Sequence, residues 1–176
     1  MDDELPQPRV LLQTPRFDVV EVLQATRGGG ARPRQVVLHP GAVVIVPMVD
    51  DDHVCLIRNE RVAVGKWLVE LPAGTMEPPI PAAAMAAREL KEETGYTAER
   101  WQELPGFYMS PGILCERMHL FVAEELTAGD HAREEGENID NLIVPWAEAI
   151  AMISRGEIED AKTICGLLLW DRLRGK

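Results

Sequence analysis

The sequence predicts an α+β fold with a mixed sheet, on three observations. Up to Leu71 it holds short β-favouring runs separated by turns, one stretch from Pro81 to Thr94 has strongly helical composition, and after further strands the chain closes with two helical segments. The 176 residues suit one compact domain, and a chain of this size buries roughly 70% of its unfolded surface without disulfides or structural metal.

The elements follow in order. Phe17 to Ala25 favours extended backbone and is followed by the turn-forming run Gly28-Gly29-Gly30 before Gln35 to Leu38, so a β hairpin is expected. These glycines are no phosphate cradle, because the Gly-Lys-Ser/Thr helix start of a P-loop does not follow; Gly65-Lys66 runs into Trp67 and fails the same test. Ala42 to Val49 and His53 to Arg58 flank the acidic turn Asp50-Asp51-Asp52 and read as adjacent antiparallel strands. Trp67 to Leu71 is a short strand leading into Pro72-Ala73-Gly74. The helix from Pro81 to Thr94 has Pro at its first position and Gly95 placed to end it. Leu104 to Tyr108 and Met118 to Ala123 are strands around the loop Ser110-Pro111-Gly112. An acidic loop from Ala128 to Asp140 precedes the strand Leu142 to Val144. Helices over Trp146 to Arg155 and Ala161 to Leu173, separated by Gly156, finish the chain.

Composition narrows the function. With 18 Lys and Arg against 29 Asp and Glu the net charge is −11, which repels nucleic-acid phosphates and anionic membranes. Polymer nucleic acid and membrane are therefore excluded as expected partners. The opening MDDELPQP lacks an apolar core, and the apolar run Ala42 to Val49 is interrupted by Pro47, far short of the ~20 residues of a spanning helix. A soluble cytoplasmic protein without a secretory signal is expected. Cys55, Cys115 and Cys165 form neither a CxxC pair nor a Cys/His cluster, and are read as reduced, buried thiols.

The chemistry concentrates between Gly74 and Tyr96. Helical spacings of three and four bring Glu89, Glu92 and Glu93 within about a third of the helix circumference. Arg88 stands four residues before Glu92 and can hold it, while Lys91 points away from the Glu89 line. Like charges on one face destabilise a helix by ~0.2–0.5 kcal/mol per pair. A divalent cation removes that conflict, and carboxylate oxygens without His or Cys favour Mg²⁺ or Mn²⁺ over zinc. A solvated acidic face is the alternative reading of the spacing alone.

The whole stretch resembles the signature of the Nudix hydrolases, with Gly74, Arg88, Glu89, Leu90, Glu92, Glu93, Gly95 and Tyr96 in their places and Ile80 where the family has Glu. The resemblance implies a Nudix fold, an α/β/α sandwich with a mixed central sheet. It also implies hydrolysis of a nucleoside diphosphate linked to another group. It further implies that Glu89, Glu92, Glu93 and the carbonyl of Ala73 hold Mg²⁺ or Mn²⁺, and that Arg88 orients the carboxylates.

From about His39 to Leu169 the chain resembles the ADP-ribose pyrophosphatase subgroup, in HPGAVVIVP, LIRNERVAVGKWLVELPAG, SPGILCERMHLFVAEEL and RGEIEDAKT. Pro111, fifteen places after Tyr96, occupies a position associated with ADP-ribose hydrolysis. The resemblance implies a homodimer, with residues 1–40 as a dimer-forming N-terminal β extension and 41–176 as the Nudix domain. Arg61 is the expected grip on a substrate phosphate and Arg58 the second choice. Glu70 is expected to accept hydrogen bonds from the nucleoside, and Glu116 to add a metal or ribose contact. His39 and His119 are read as packed or hydrogen-bonded residues. The general base is expected on the acidic loop at Glu137, with Glu135 next; Glu134 is also there. The expected substrate is a small nucleoside diphosphate sugar: ADP-ribose first, giving AMP and ribose 5-phosphate, or a GDP-mannose type as the rival. Ile80 leaves a different class open, a catalytically silent nucleotide-binding module.

Overall fold

The computed structural model describes residues 7–130 and 139–174. Strands β1 (Arg9–Gln13), β2 (Asp18–Ala25) and β3 (Ala31–Leu38) form an antiparallel sheet in the order β1-β2-β3. The β2–β3 pair is the expected hairpin. Its turn closes where the Thr26 N–H donates to the Gly30 carbonyl at 3.1 Å. Gly29 and Gly30 supply the positive φ angles, 81° and 85°, that this turn needs. β3 starts earlier than expected and passes through Pro33, which an edge strand tolerates because no ladder donor is needed there. β1 was not anticipated: Val10-Leu11-Leu12 is a run without alternation, and all five of its residues are exposed.

The central sheet has the order β7-β4-β9-β8, from β4 (Ala42–Pro47), β7 (Ala73–Thr75), β8 (Tyr96–Tyr108) and β9 (Arg117–Ala128). β4 and β9 run parallel and the other pairs antiparallel, so the sheet is mixed as expected. Every residue of β4 is buried, the pattern of a strand covered on both faces. Val43 and Ile45 belong to one apolar cluster with Met85, Ala86 and Leu90 of α1 (Ala82–Thr94). Val44 and Val46 belong to another with Met152 of α2 (Trp146–Ser154) and Leu167 and Trp170 of α3 (Ala161–Arg174). Helices therefore flank the central sheet as an α/β/α sandwich. Beside it β5 (His53–Arg61), β6 (Lys66–Glu70) and β10 (Ile139–Pro145) form an antiparallel sheet in the order β10-β5-β6.

Several expectations need correction. β8 and β9 are 13 and 12 residues long, far beyond the short apolar runs read as strands. Their charged outer ends are held by cross-strand pairing, with Arg100 opposite Glu124 and an ion pair of 3.2 Å between them. β7 was not anticipated, because three residues carry no periodicity; pairing with β4 makes it a strand. Of the cysteines only Cys55 is buried. Cys115 lies in the loop before β9 and Cys165 on the outer side of α3, both exposed, and all three are free thiols. At the start of α1, Pro81 is the N-cap rather than the first helical residue. Ile80 just before it shares the apolar cluster of Met85, the spacing of a hydrophobic staple. Gly95 ends the helix in the left-handed region at φ 81°.

Candidate active site

β7 and α1 bring the signature residues together. The carboxylate of Glu89 lies over Gly74 so closely that a Cβ there would stand 1.9 Å from its carboxyl carbon. Only a residue without a side chain admits Glu89 in this position. Glu93 is 4% exposed and accepts the Ala73 N–H at 2.9 Å, so the second carboxylate is tied to the same short strand. Arg88 pairs through two nitrogens with Glu77 and lies 3.9 Å from Glu89 and 3.8 Å from Glu92. The hydrogen bonds to Glu77, then the charges of Glu77, Glu92 and Glu89, raise the Arg88 pKa above its ordinary value. Arg88 thus faces two of the signature carboxylates while anchored by Glu77, a residue the sequence reading did not single out.

Glu77, Glu89, Glu92 and Glu93 line one cavity of about 630 Å³ that Arg61 and Asn59 close from β5. Among the described residues no three acidic, His or Cys side chains are gathered tightly enough to hold one ion as they stand. The donor set nevertheless fits a hard divalent cation: the oxygens are carboxylates, and the missing side chain at Gly74 leaves room for the Glu89 carboxylate against β7.

Arg61 and Glu70 form a forked pair across β5 and β6, Nε to Oε1 at 2.8 Å and Nη2 to Oε2 at 2.6 Å. Glu70 is fully buried and also accepts from Lys162. It is therefore no surface carboxylate, and Arg61 and Lys162 engage both of its oxygens. Burial opposes ionisation of Glu70, but the Arg61 hydrogen bonds and the Lys162 charge and hydrogen bond outweigh it and hold the carboxyl below the usual range. The network continues. Lys162 lies 3.0 Å from Asp160, Asp160 accepts from the Thr163 N–H and hydroxyl at 2.9 and 2.6 Å, and the Thr163 hydroxyl accepts the Leu71 N–H at 2.8 Å. Asp160 stands just before α3 as an N-cap would. Lys162 was missed as a site residue; the signal was RGEIEDAKT, noted there only as a likeness.

A second cavity adjoins the first. The two share Arg16, Arg61, Ala73, Gly74 and Thr75, and beyond these the second is lined by His39, Glu116 and Lys162 among others. His39 Nδ1 accepts the Gly41 N–H at 3.1 Å and lies 3.5 Å from Glu116, and His119 sits in β9 opposite Val43. Arg58, the second choice for a phosphate grip, is exposed on β5 and lines neither cavity, because side chains alternate along a strand and Asn59 and Arg61 take the inward face. Pro111 is exposed in the loop after β8 and lines neither cavity. Glu135 and Glu137 lie outside the described residues.

A two-sided sandwich whose helix α1 presents three glutamates beside a glycine-bearing strand defines the class of this protein. Residues 38–167 match the NUDIX domain, and the chain belongs to that family. It is 37% identical to the ADP-ribose pyrophosphatase of Bacillus subtilis (strain 168) over 137 residues, which are 77% of this chain and 74% of that protein. Over 135 residues it is 36% identical to the GDP-mannose pyrophosphatase of Citrobacter koseri, covering 70% and 69% of the two chains. A solved structure described as an ADP compounds hydrolase superposes with a TM-score of 0.82 at 27% identity, covering 99% of this chain and 98% of that one. Among the described residues no helix is long and apolar enough to cross a membrane.

Proposed function

We propose that this protein hydrolyses the diphosphate bond of ADP-ribose, giving AMP and ribose 5-phosphate, with Mg²⁺ or Mn²⁺. The observation that carries this reading is the single cavity in which Glu89, Glu92 and Glu93 meet Arg61 and the β7 backbone. Likeness to the ADP-ribose pyrophosphatase of Bacillus subtilis supports the substrate. Glu89, Glu92, Glu93 and the Ala73 carbonyl are the residues that would hold the ion. When bound, a divalent ion neutralises diphosphate charge and makes a bound water more acidic. The chain itself contributes orientation. Glu93 is held by the Ala73 N–H, Arg88 stands between Glu77, Glu89 and Glu92, and the Glu70–Lys162 network fixes Arg61 at the rim. Glu137, with Glu135 as the second choice, takes the proton of the attacking water; a positioned base supplies typically about 10²–10⁴-fold.

A homodimer in the cytoplasm is part of the same proposal. It is supported by the exposed apolar residues Val10, Leu12, Phe17, Leu23 and Leu38 on the N-terminal sheet. Residues 1–40 are proposed as the associating extension and 41–176 as the hydrolase domain. The test of function is incubation with ADP-ribose, GDP-mannose and ATP, with and without Mg²⁺ or Mn²⁺, and chromatographic identification of the products. ADP-ribose is expected to turn over fastest, with activity lost on chelation. Faster GDP-mannose cleavage would transfer the assignment to that substrate, the one named for the Citrobacter koseri relative. Equal or faster ATP hydrolysis would remove the nucleotide-sugar reading.

A further inference from the structure

We propose that Glu77, in the turn between β7 and α1, is a positioning residue that withholds Arg88 from Glu89 and Glu92, so that a divalent ion and not the guanidinium takes their oxygens. The inference rests on the hydrolase reading above and deepens its metal requirement. Its first support is the geometry of Arg88. Nη1 donates to Glu77 Oε2 at 3.3 Å and Nη2 donates to Glu77 Oε1, a forked pair that fixes the plane of the guanidinium. Glu89 and Glu92 stand at 3.9 and 3.8 Å, beyond hydrogen-bond distance. Helix spacing makes Glu92, four residues on, the local partner of Arg88. The contact with Glu77, 11 residues away in sequence, prevails over it.

The second support is a donor without an acceptor. Among the described residues the buried Arg88 Nε–H has no hydrogen-bond partner, and it lies 3.8 Å from Glu92 Oε2. A buried donor left unpaired costs free energy, so an Arg88 released from Glu77 gains by moving onto Glu92. That short shift sets a permanent positive charge on a carboxylate of the cavity, where it repels a second cation. Glu77 therefore opposes a local collapse that would compete with the ion.

The third support is the turn that carries Glu77. The Met76 N–H donates to the Gly41 carbonyl and the Ile80 N–H to the Glu77 carbonyl, both at 2.9 Å. The side chains of Met76 and Ile80 pack in the apolar cluster of Met85. Apolar anchors thus stand on both sides of Glu77, and its side chain reaches Arg88 from a fixed backbone. With the acid at position 77, position 80 is left to the apolar anchor.

The test uses the full chain as Glu77→Gln, Glu77→Asp, Arg88→Ala, the double variant Glu77→Gln with Arg88→Ala, and the control Glu60→Gln, which removes one charge from an exposed position of β5. Paramagnetic resonance of free Mn²⁺, without nucleotide, gives Kd for the ion, and circular dichroism gives Tm. Glu77→Gln is expected to weaken Mn²⁺ binding at least about fivefold, toward the ~10–100-fold that losing a residue which orients metal ligands costs. Glu77→Asp should recover part of the loss, and Glu60→Gln should match the natural protein. Arg88→Ala removes the competitor, so adding Glu77→Gln to it should change Kd less than about twofold. A larger change in that background would show Glu77 acting on the ion itself and overturns the positioning role. So does a smaller loss for Glu77→Gln alone, whatever its Tm, or an equal loss for Glu60→Gln. If the natural protein binds Mn²⁺ but leaves ADP-ribose uncleaved, the substrate reading fails by itself and Glu77 is judged by the same Kd values. A natural protein that binds no Mn²⁺ removes both.

Discussion

The carboxylate of Glu89 occupies the space that a side chain at Gly74 would need, its Oε1 only 2.1 Å from where a Cβ would stand. Since the obstructing atoms are the far end of a flexible side chain, Gly74→Ala should displace Glu89 without unfolding the protein. A misplacement on the order of 1 Å at a reacting centre lowers rates about 10²-fold. The expected outcome is such a fall in kcat with an almost unchanged Tm; a near-natural kcat would show that the Glu89 position is unimportant.

Glu70 links stability to pH. Its folded-state pKa lies below the 4.5 of the free side chain, so on acidification the unfolded chain takes up the proton first. The stabilisation is present above about pH 4.5 and is lost as pH falls through the folded value. Glu70→Gln leaves Arg61 and Lys162 facing a neutral partner, and breaking such a buried pair costs about 3–5 kcal/mol. Denaturant titrations at pH 7 and pH 4 should show the variant much less stable at pH 7 and less sensitive to acid. A variant with the natural pH slope would contradict this account.

Glu93→Gln is expected to lower kcat by on the order of 10²–10³, comparable to removing one preorganised electrostatic group. The departure at Ile80 should matter less. Ile80 packs in the apolar cluster beside α1, and the carboxylate that meets Arg88 comes from Glu77. Ile80→Glu should change activity less than about tenfold, because Ile80 lies before α1 and packs in that apolar cluster rather than on the carboxylate face. An inert natural protein rescued by Ile80→Glu would instead identify a silent binding module.

For the acidic loop, Glu137→Gln should lower kcat by about 10²–10⁴-fold with substrate affinity nearly intact. If Glu137→Gln is active and Glu135→Gln is slow, the base is Glu135. Full activity in both ends the loop-base assignment.

Light scattering at micromolar concentration should give twice the 19.6 kDa of one chain. Replacing Val10 and Leu12 with Ser should shift the mass toward the monomer. A monomeric natural protein would remove the association role given to the N-terminal sheet.

Much of this architecture is local and was legible in the amino acids. α1 carries its own composition, N-terminal proline and terminal glycine, so its extent was read almost to the residue. The spacing of Glu89, Glu92 and Glu93 follows from helix geometry and needs no tertiary information. Strands β4 and β5 announced themselves by apolar runs, although they belong to different sheets instead of pairing with each other as expected, whereas β1, β7 and the outer ends of β8 and β9 did not. Those segments are strands because partners supply their hydrogen bonds, and pairing leaves little periodic trace in exposed or very short stretches.

The residues around the cleft divide along the same line. The carboxylate face belongs to one helix and was legible, but the partners of Arg61 and Arg88 depend on which elements pack together. Arg61 was read as a grip on a substrate phosphate; that it also meets Glu70 across the β5–β6 pairing, nine residues away, and that Lys162 arrives from α3, 92 residues beyond Glu70, were not legible. Arg16 lines the cleft from the turn between β1 and β2, a placement that packing decides. Helix periodicity and chemical type are properties of contiguous residues, so one strand of text contains them. Ion pairing and cavity lining are set by distances across the folded chain, and only packing brings those charges close enough to choose partners.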